Sequence, residues 1–287
     1  MPAIETKNLS YTYGEKTVFR KTAVDNISIS IEKGEFAGVI GHTGSGKSTL
    51  MQLLNGLIKP SSGSVLLNGE DIWRNPKKIR DVRFKVGLCF QYPEHQLFEQ
   101  TVYADIAFGP KNMGLDGDEI KKRVESAAEF VSVSRSYFEK SPFELSGGEK
   151  RRVAIAGVLA MDPEVLIMDE PTAGLDPKGR DGILSAIRDY KNTKNSTIIF
   201  VSHSMEDVAR LCSTVIVMNQ GRCEMHGTAS EIYSQPDALS AIGLNVPQIT
   251  RIFLALKARG FDVRTDVLTA RQGRDETLRL LGKEAGM

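Results

Sequence analysis

The chain has 287 residues, 41% of them hydrophobic, which suits one large domain or a domain with an appendage. Its 37 lysines and arginines nearly balance 36 aspartates and glutamates, and a net charge of +1 excludes the broad basic field that nonspecific nucleic-acid binding needs. Three cysteines, Cys89, Cys212 and Cys223, lack any C-x-x-C spacing and read as buried, reduced thiols rather than a disulfide framework or a zinc site.

In chain order, the first residues lack the apolar core of a signal peptide, and the longest apolar runs, such as residues 153–161, are too short for a bilayer. Any membrane association is expected to go through a partner. Residues 4–40 alternate short β-type runs, among them 8–13 and 27–31, with turns, and the period of two predicts antiparallel strands. The apolar run 36–40 reads as a strand. It feeds Gly41-His42-Thr43-Gly44-Ser45-Gly46-Lys47-Ser48-Thr49, the phosphate-cradling pattern G-x-x-x-x-G-K-[ST]. The glycines let backbone N–H groups point at phosphate oxygens, Lys47 adds a point charge, and Ser48 can hold Mg²⁺. A helix begins here and turns its positive end toward the same anion.

Pro60-Ser61-Ser62-Gly63 is a turn signal, and Asn68-Gly69 after 64–67 is a hairpin signal, so a small β subdomain is expected beside the nucleotide core. Strand-like residues 85–90 lead to Gln91. A mostly helical insert follows, broken at Gly109-Pro110, Gly114 and Gly117. From residue 165 the pattern is strand, helix, strand: 165–168, a helix from about Pro177, and 197–201. Short, fully apolar strands alternating with helices imply a parallel sheet covered on both faces.

The strand at 165–168 ends in Asp169-Glu170, and two carboxylates emerging from an apolar strand are costly unless they meet a cation or a reacting water. Asp169 suits an outer ligand of Mg²⁺, and Glu170 is placed to polarise a water toward a γ-phosphate. Past Asn245 the composition shifts to a tail in which Ile249, Ile252, Phe253 and Leu256 fall on one helical face between Pro247 and Gly260. That helix can pack on its own domain or serve as a contact for a second chain.

Leu145-Ser146-Gly147-Gly148-Glu149, lying before Asp169-Glu170, resembles the LSGGQ signature of ATP-binding cassette ATPases. The resemblance covers about residues 4–235. It implies a P-loop NTPase of α/β class: a RecA-like parallel-sheet core with an antiparallel β subdomain, a helical subdomain at about 92–160, and a C-terminal helical extension. The cassette would occupy 1–240 and a dimerising extension 241–287. The family's other elements match Gln91 as the Q-loop, Ala173-Gly174-Leu175-Asp176 as the D-loop, His203 as the switch histidine, and Tyr13 as the aromatic that stacks on adenine.

By that resemblance Ser146, Gly147, Gly148 and Glu149 face the γ-phosphate bound by the opposite subunit, so ATP is sandwiched between two cassettes. Gln91 reaches Mg²⁺ and the attacking water, His203 helps position that water with Glu170, and Asp176 crosses the dimer interface. Glu149 departs from the commoner Gln, and activity is expected to survive because the phosphate-facing groups are Ser146 and the glycine backbone. The run Lys150-Arg151-Arg152 is expected to be solvated or paired with nearby acids. His42, His95 and His226 read as structural side chains.

Residues 90–98, 152–161 and 245–249 look like the ATPase subunits of energy-coupling factor transporters, closest to the second of their paired ATPases. The implied partners are a second ATPase subunit, paralogous or identical, a transmembrane coupling protein and a substrate-binding membrane protein for a vitamin or a transition-metal ion. No nucleic acid is implied. The expected place is the cytoplasmic face of the cell membrane, with ATP and Mg²⁺ as cofactors. The alternative, a soluble cassette ATPase of DNA repair or translation, should carry a coiled-coil insertion or tandem cassettes, and this chain has neither.

Overall fold

The phosphate-loop segment hangs from the middle of a six-stranded sheet. In the computed structural model, which describes residues 1–282, β4 (Phe36–Ile40) lies between β10 (Thr214–Asn219) and β9 (Thr197–Val201). The order continues through β8 (Val165–Asp169) to β7 (Val86–Cys89). These five strands are parallel, and β11 (Arg222–Thr228) closes the far edge antiparallel to β10. Every residue of β4, β8 and β9 is buried, which is why they read as unbroken apolar runs.

Alternate side chains of each strand enter different cores. Ile198 and Phe200 pack with Val153 and Ile155 of α5 (Gly147–Leu159), Ile183 and Ile187 of α6 (Pro177–Lys194), and Val208 of α7 (Met205–Leu211). Ile199 and Val201 face the other way, toward Leu50 and Leu53 of α1 (Lys47–Leu54) and the second sheet. That second sheet is antiparallel. Its long strand β1 (Pro2–Tyr13) pairs with β2 (Lys21–Ile27), β3 (Ser30–Glu32) and β5 (Ser62–Leu67), and β5 pairs with the short β6 (Glu70–Asp71). Asn68 and Gly69, at φ 51° and 83°, make the two-residue turn that the Asn-Gly signal predicts.

The run 27–31, expected as one strand, is two. β2 stops at Ile27 and β3 starts at Ser30, because the buried hydroxyl of Thr6 donates to the Ile27 carbonyl (2.9 Å) and accepts from the Ile29 N–H (3.1 Å). A side chain thus replaces a rung of the ladder. α2 (Ile79–Lys85) packs by Ile79 and Val82 on the core shared with the second sheet, whereas α3 (Val102–Asn112) and α4 (Gly117–Phe130) pack with α5 on the other side of the six-stranded sheet. Cys89 and Cys212 are buried as expected, whereas Cys223 is half-buried, since it sits on the edge strand β11.

After β11 come α8 (Ala229–Tyr233), α9 (Pro236–Ala241), α10 (Gln248–Ala258) and α11 (Ala270–Leu280). The expected amphipathic helix is α10, but its stripe divides: Phe253 is buried while Ile252 is 54% exposed. α11, which no reading of the tail anticipated, covers the Phe253 side and approaches so closely that a Cβ on Gly273 would lie 2.6 Å from Ile249 Cδ1. Thr250 ties α10 to the loop between them through the Val267 carbonyl (2.6 Å). Residues 283–287 of the extension lie outside the described residues, among which no helix is long and apolar enough to cross a membrane.

Phe253, Val263 and Val267 form a small cluster separate from the two large cores. Phe253→Ala should therefore cost about 3–5 kcal/mol locally, more than so small a cluster can absorb. Hydrogen exchange is expected to show lost protection across 248–281 with the strands of the six-stranded sheet unaffected. Uniform loss across both regions would mean that the tail is part of one cooperative unit with the cassette.

Candidate functional site

In a parallel sheet, loops that leave the carboxyl ends of the strands share one rim. Gln91 follows β7, Asp169 ends β8 with Glu170 directly after it, His203 follows β9, and the phosphate loop follows β4. Residues as distant in sequence as Tyr13 and His203 are thereby brought to one cleft of about 310 Å³, lined by Tyr13, Gly44, Lys47, Ser48, Gln91, Glu170 and His203 among others.

The phosphate loop has little freedom to adopt another shape. Gly46, the residue before α1, has φ 102° and abuts the Ala23 carbonyl so closely that a Cβ has no room. Lys47 Nζ donates to the carbonyls of Gly41 (2.7 Å) and His42 (3.0 Å), which leaves one of its three N–H directions for an anion. Burial pushes the Lys47 ammonium down, opposed by the charges of Glu170 and Asp169. The His42 ring turns to Thr43 O (2.8 Å) and Asn219 Oδ1 (3.0 Å), so it is a structural side chain and its residue offers the cleft backbone alone. Tyr13 is 41% exposed at the cleft mouth, its hydroxyl 3.2 Å from Thr49 Oγ1. Lys21 and Ala23 line the same cleft and were not anticipated, because nothing in β2 distinguishes them from strand residues.

Asp169 is almost fully buried and hydrogen-bonded to the Ser48 side chain; its pKa is raised because burial penalises the charged form more than Ser48 and Lys47 relieve it. Two oxygen donors beside a phosphate loop fit Mg²⁺, which takes one or two protein oxygens and completes its shell with phosphate and water. No cluster of three or more His, Cys, Asp or Glu suited to a metal occurs among the described residues. Glu170 sits at φ 51°, a left-handed backbone that swings its side chain out of the strand line. Its carboxylate meets His203 Nε2 at 2.7 Å and accepts from Gln91 Nε2 at 3.0 Å. The donor end of Gln91 is thus committed to Glu170, and its oxygen is the end left for a metal.

Ser146 to Glu149 do not line this cleft. They form the start of α5, where Ser146 and Glu149 make a reciprocal capping box. Asp176 Oδ1 accepts from the Gly179 N–H (2.8 Å) and caps α6. Neither segment lines the cleft of the chain's own phosphate loop.

The basic run after the signature hides a feature that periodicity could not reveal. Arg151 is 2% exposed and makes a bidentate pair with Glu94 (2.9 and 2.6 Å), while its Nη1 donates to the carbonyls of Pro171 and Ala173. One guanidinium therefore ties α5 to the segment after Gln91 and to the segment after Glu170. The sequence carried one hint, a basic run unfavourably near a helix start, which calls for a compensating partner. Similarly, Arg180 of α6 donates to Asp207 Oδ2 (3.0 Å) and to Ser204 Oγ (2.6 Å), next to His203.

Since the folded-state pKa of Asp169 lies above its unfolded value, its ionisation penalises folding once pH rises through the folded pKa and costs nothing in acid. Asp169→Asn is expected to raise the melting temperature of the protein without nucleotide at neutral pH, the gain vanishing in acid melts. A lower melting temperature at neutral pH would show that the bonds to Ser48 and Lys47 outweigh desolvation.

Comparison with known proteins agrees with this geometry. Residues 24–173 match the family described as ABC transporter. The chain is 53% identical over 279 residues to an "energy-coupling factor transporter ATP-binding protein EcfA2" of Clostridium acetobutylicum, covering 97% of this chain and 98% of the relative. The protein of the same name from Clostridium tetani is 51% identical over 99% of both chains. Among solved structures, cbiO1 of Clostridium perfringens, described as part of the ABC transporter complex cbiONQ, superposes with a TM-score of 0.74 at 37% identity over 89% of this chain and 99% of that one. The bacterial ABC transporter cassette MJ0796, solved as a dimer, gives 0.71 at 28% identity over 79% of this chain and 98% of that one. These relatives lend no support to a role in DNA repair or translation. With the phosphate loop, the two carboxylates and the signature helix in place on a P-loop NTPase fold, the chain belongs to the ABC transporter family and is an ATP-binding ATPase of that family.

Proposed function

We propose that this chain is an ATP-hydrolysing subunit of an energy-coupling factor importer. It would work at the cytoplasmic face of the cell membrane, driving uptake of a vitamin or a transition-metal ion. The observation that carries the proposal is the separation of the phosphate loop and carboxylates from the signature at Ser146 to Glu149, joined to full-length similarity with relatives named for such transporters. A cleft built this way is half of a site, completed by the signature of a second ATPase subunit, a paralogue or another copy. Residues 1–240 are the cassette, with a helical subdomain at about 92–160, and 241–287 form the dimerising extension.

ATP binds with its phosphates on the loop Gly41 to Thr49 and its adenine against Tyr13. Ser48, Asp169 and the Gln91 oxygen would hold Mg²⁺, which supplies positive charge to the β- and γ-phosphate oxygens when bound. Glu170, held by His203 (2.7 Å), accepts the proton of a water whose oxygen bonds to the γ-phosphorus as the bond to the β-phosphate oxygen breaks. ADP and phosphate leave. Lys47 offsets negative charge gathering on the γ-phosphate oxygens, and the neutral amide of Gln91 can retreat without leaving a buried charge.

The coupling protein is placed in the groove that follows Gln91. That groove, about 470 Å³, is lined by Arg80, Phe84, Leu97, Phe98 and Phe108, with Phe98 59% exposed. A movement there reaches the signature helix through Glu94 and Arg151.

Glu170→Gln should cut turnover by about 10²–10⁴-fold while ATP still binds, measured as phosphate release and as nucleotide retention; near-normal hydrolysis would remove Glu170 from the role of base. Deleting the chain beyond Asn245 should weaken pairing with the partner ATPase, read by light scattering, and leave ATP binding in place. Unchanged pairing would free the extension from that role. Purification of the intact complex from membranes identifies the partners, and recovery of this chain without membrane subunits would count against the importer assignment.

A further inference from the structure

The residue that departs from the family's signature makes the closest contacts at its own helix start. Glu149 Oε2 accepts from the Ser146 hydroxyl at 2.6 Å and from the Ser146 N–H at 2.8 Å, and Oε1 accepts from the Tyr137 hydroxyl at 3.0 Å. A hydroxyl has one proton to give, so the Ser146 donor is committed to this carboxylate. The same bonds from Ser146 and Tyr137 hold the Glu149 carboxyl below the usual carboxylate range, so it carries its charge at neutral pH.

Beside it, the first-turn N–H groups of Gly147 and Gly148 have no intrahelical partner, and the space where a side chain would stand on either glycine is open. That is the geometry an incoming phosphate needs. Yet the fixed charge of Glu149 in the same turn opposes an anion there and offsets the positive end of α5. A glutamine at the same position could accept the same Ser146 bonds through its amide oxygen while carrying no charge.

We propose that Glu149 sets the affinity of the shared site: its carboxylate holds the Ser146 hydroxyl and opposes the partner's γ-phosphate, so the closed pair forms at higher ATP concentration and reopens faster than a glutamine would allow. The inference rests on the reading of Ser146 to Glu149 as the half-site for the partner's nucleotide. ATP entering the site must draw Ser146 away from Glu149, and the carboxylate, still bonded to Tyr137, favours the return. Glu149 is a positioning and affinity-setting residue and takes no part in proton transfer.

The test uses the full chain with the ATPase that co-purifies with it, or with itself if it pairs with itself, and follows ATP-driven closure by light scattering at low and high salt. Glu149→Gln is expected to lower the ATP concentration for half-maximal closure by about three- to tenfold, the difference shrinking as salt screens the charge. Glu149→Asp, which keeps the charge, should stay near the parent. Equal ATP dependence for parent and Glu149→Gln, or a shift in Glu149→Asp as large as in Glu149→Gln, would overturn the proposal. If parent and variants all bind ATP but none closes, the half-site reading itself fails, a result distinct from closure that ignores residue 149.

Discussion

Holding Asp169, Glu170 and Lys47 together at the rim of a dry sheet is the constraint on which the rest of the structure depends. Each would be costly to bury alone, and burial moves Lys47 and Asp169 in opposite directions, each toward its neutral form. Their mutual attraction and the Ser48 hydroxyl relieve part of that cost. The remainder is a cost that the proposed phosphate and divalent cation would offset. Parallel strand order makes the arrangement possible, because β4 and β8 flank β9 and all three open at the same edge.

Around that rim, buried or half-buried arginines turn separate loops into one mechanical unit. Arg151 holds the segment after Gln91, the segment after Glu170 and the signature helix with a single planar group, and Glu94 answers its charge bidentately. Arg180 does the same for α6 and α7, gripping the buried Asp207 and the cap residue after His203. Direct side-chain contacts thus run from the segment after Gln91 to the signature helix, and from α6 to the segment after His203. Buried pairs of this kind are strongly destabilising when one partner is removed, which keeps the linkage stiff.

The extension obeys a different economy. Its cluster of Phe253, Val263 and Val267 is small, it meets the cassette partly through a hydrogen bond from Gln248 N to Glu206 of α7, and Ile252 is left in solvent. An apolar residue exposed on a helix whose other face is already packed is consistent with the proposed pairing role. The Glu206 contact also places the extension two residues from Ser204, which follows His203.

Much of the site was legible because its chemistry is local in sequence: the phosphate loop, the Asp-Glu pair and the signature each spell themselves within a few residues. The strand alternation, the Asn68-Gly69 turn and the unbroken apolar runs likewise follow from local periodicity. What could not be read depends on distance. Thr6 interrupts a strand through residues 21 and 23 positions away, and Arg151 meets Glu94 across 57 positions; no window holds both partners. α11 went unseen because its face is mostly polar and it is defined by Gly273 fitting against Ile249 and Phe253. By itself, then, the sequence determined the chemistry, since backbone cradles and ionisable pairs are set by residue type and spacing. Only the tertiary structure decided that the signature stands apart from its own phosphate loop, that Tyr137 reaches Glu149 and that Glu94 reaches Arg151, because side-chain bonding between distant residues is settled by which groups the packed fold brings within about 3 Å.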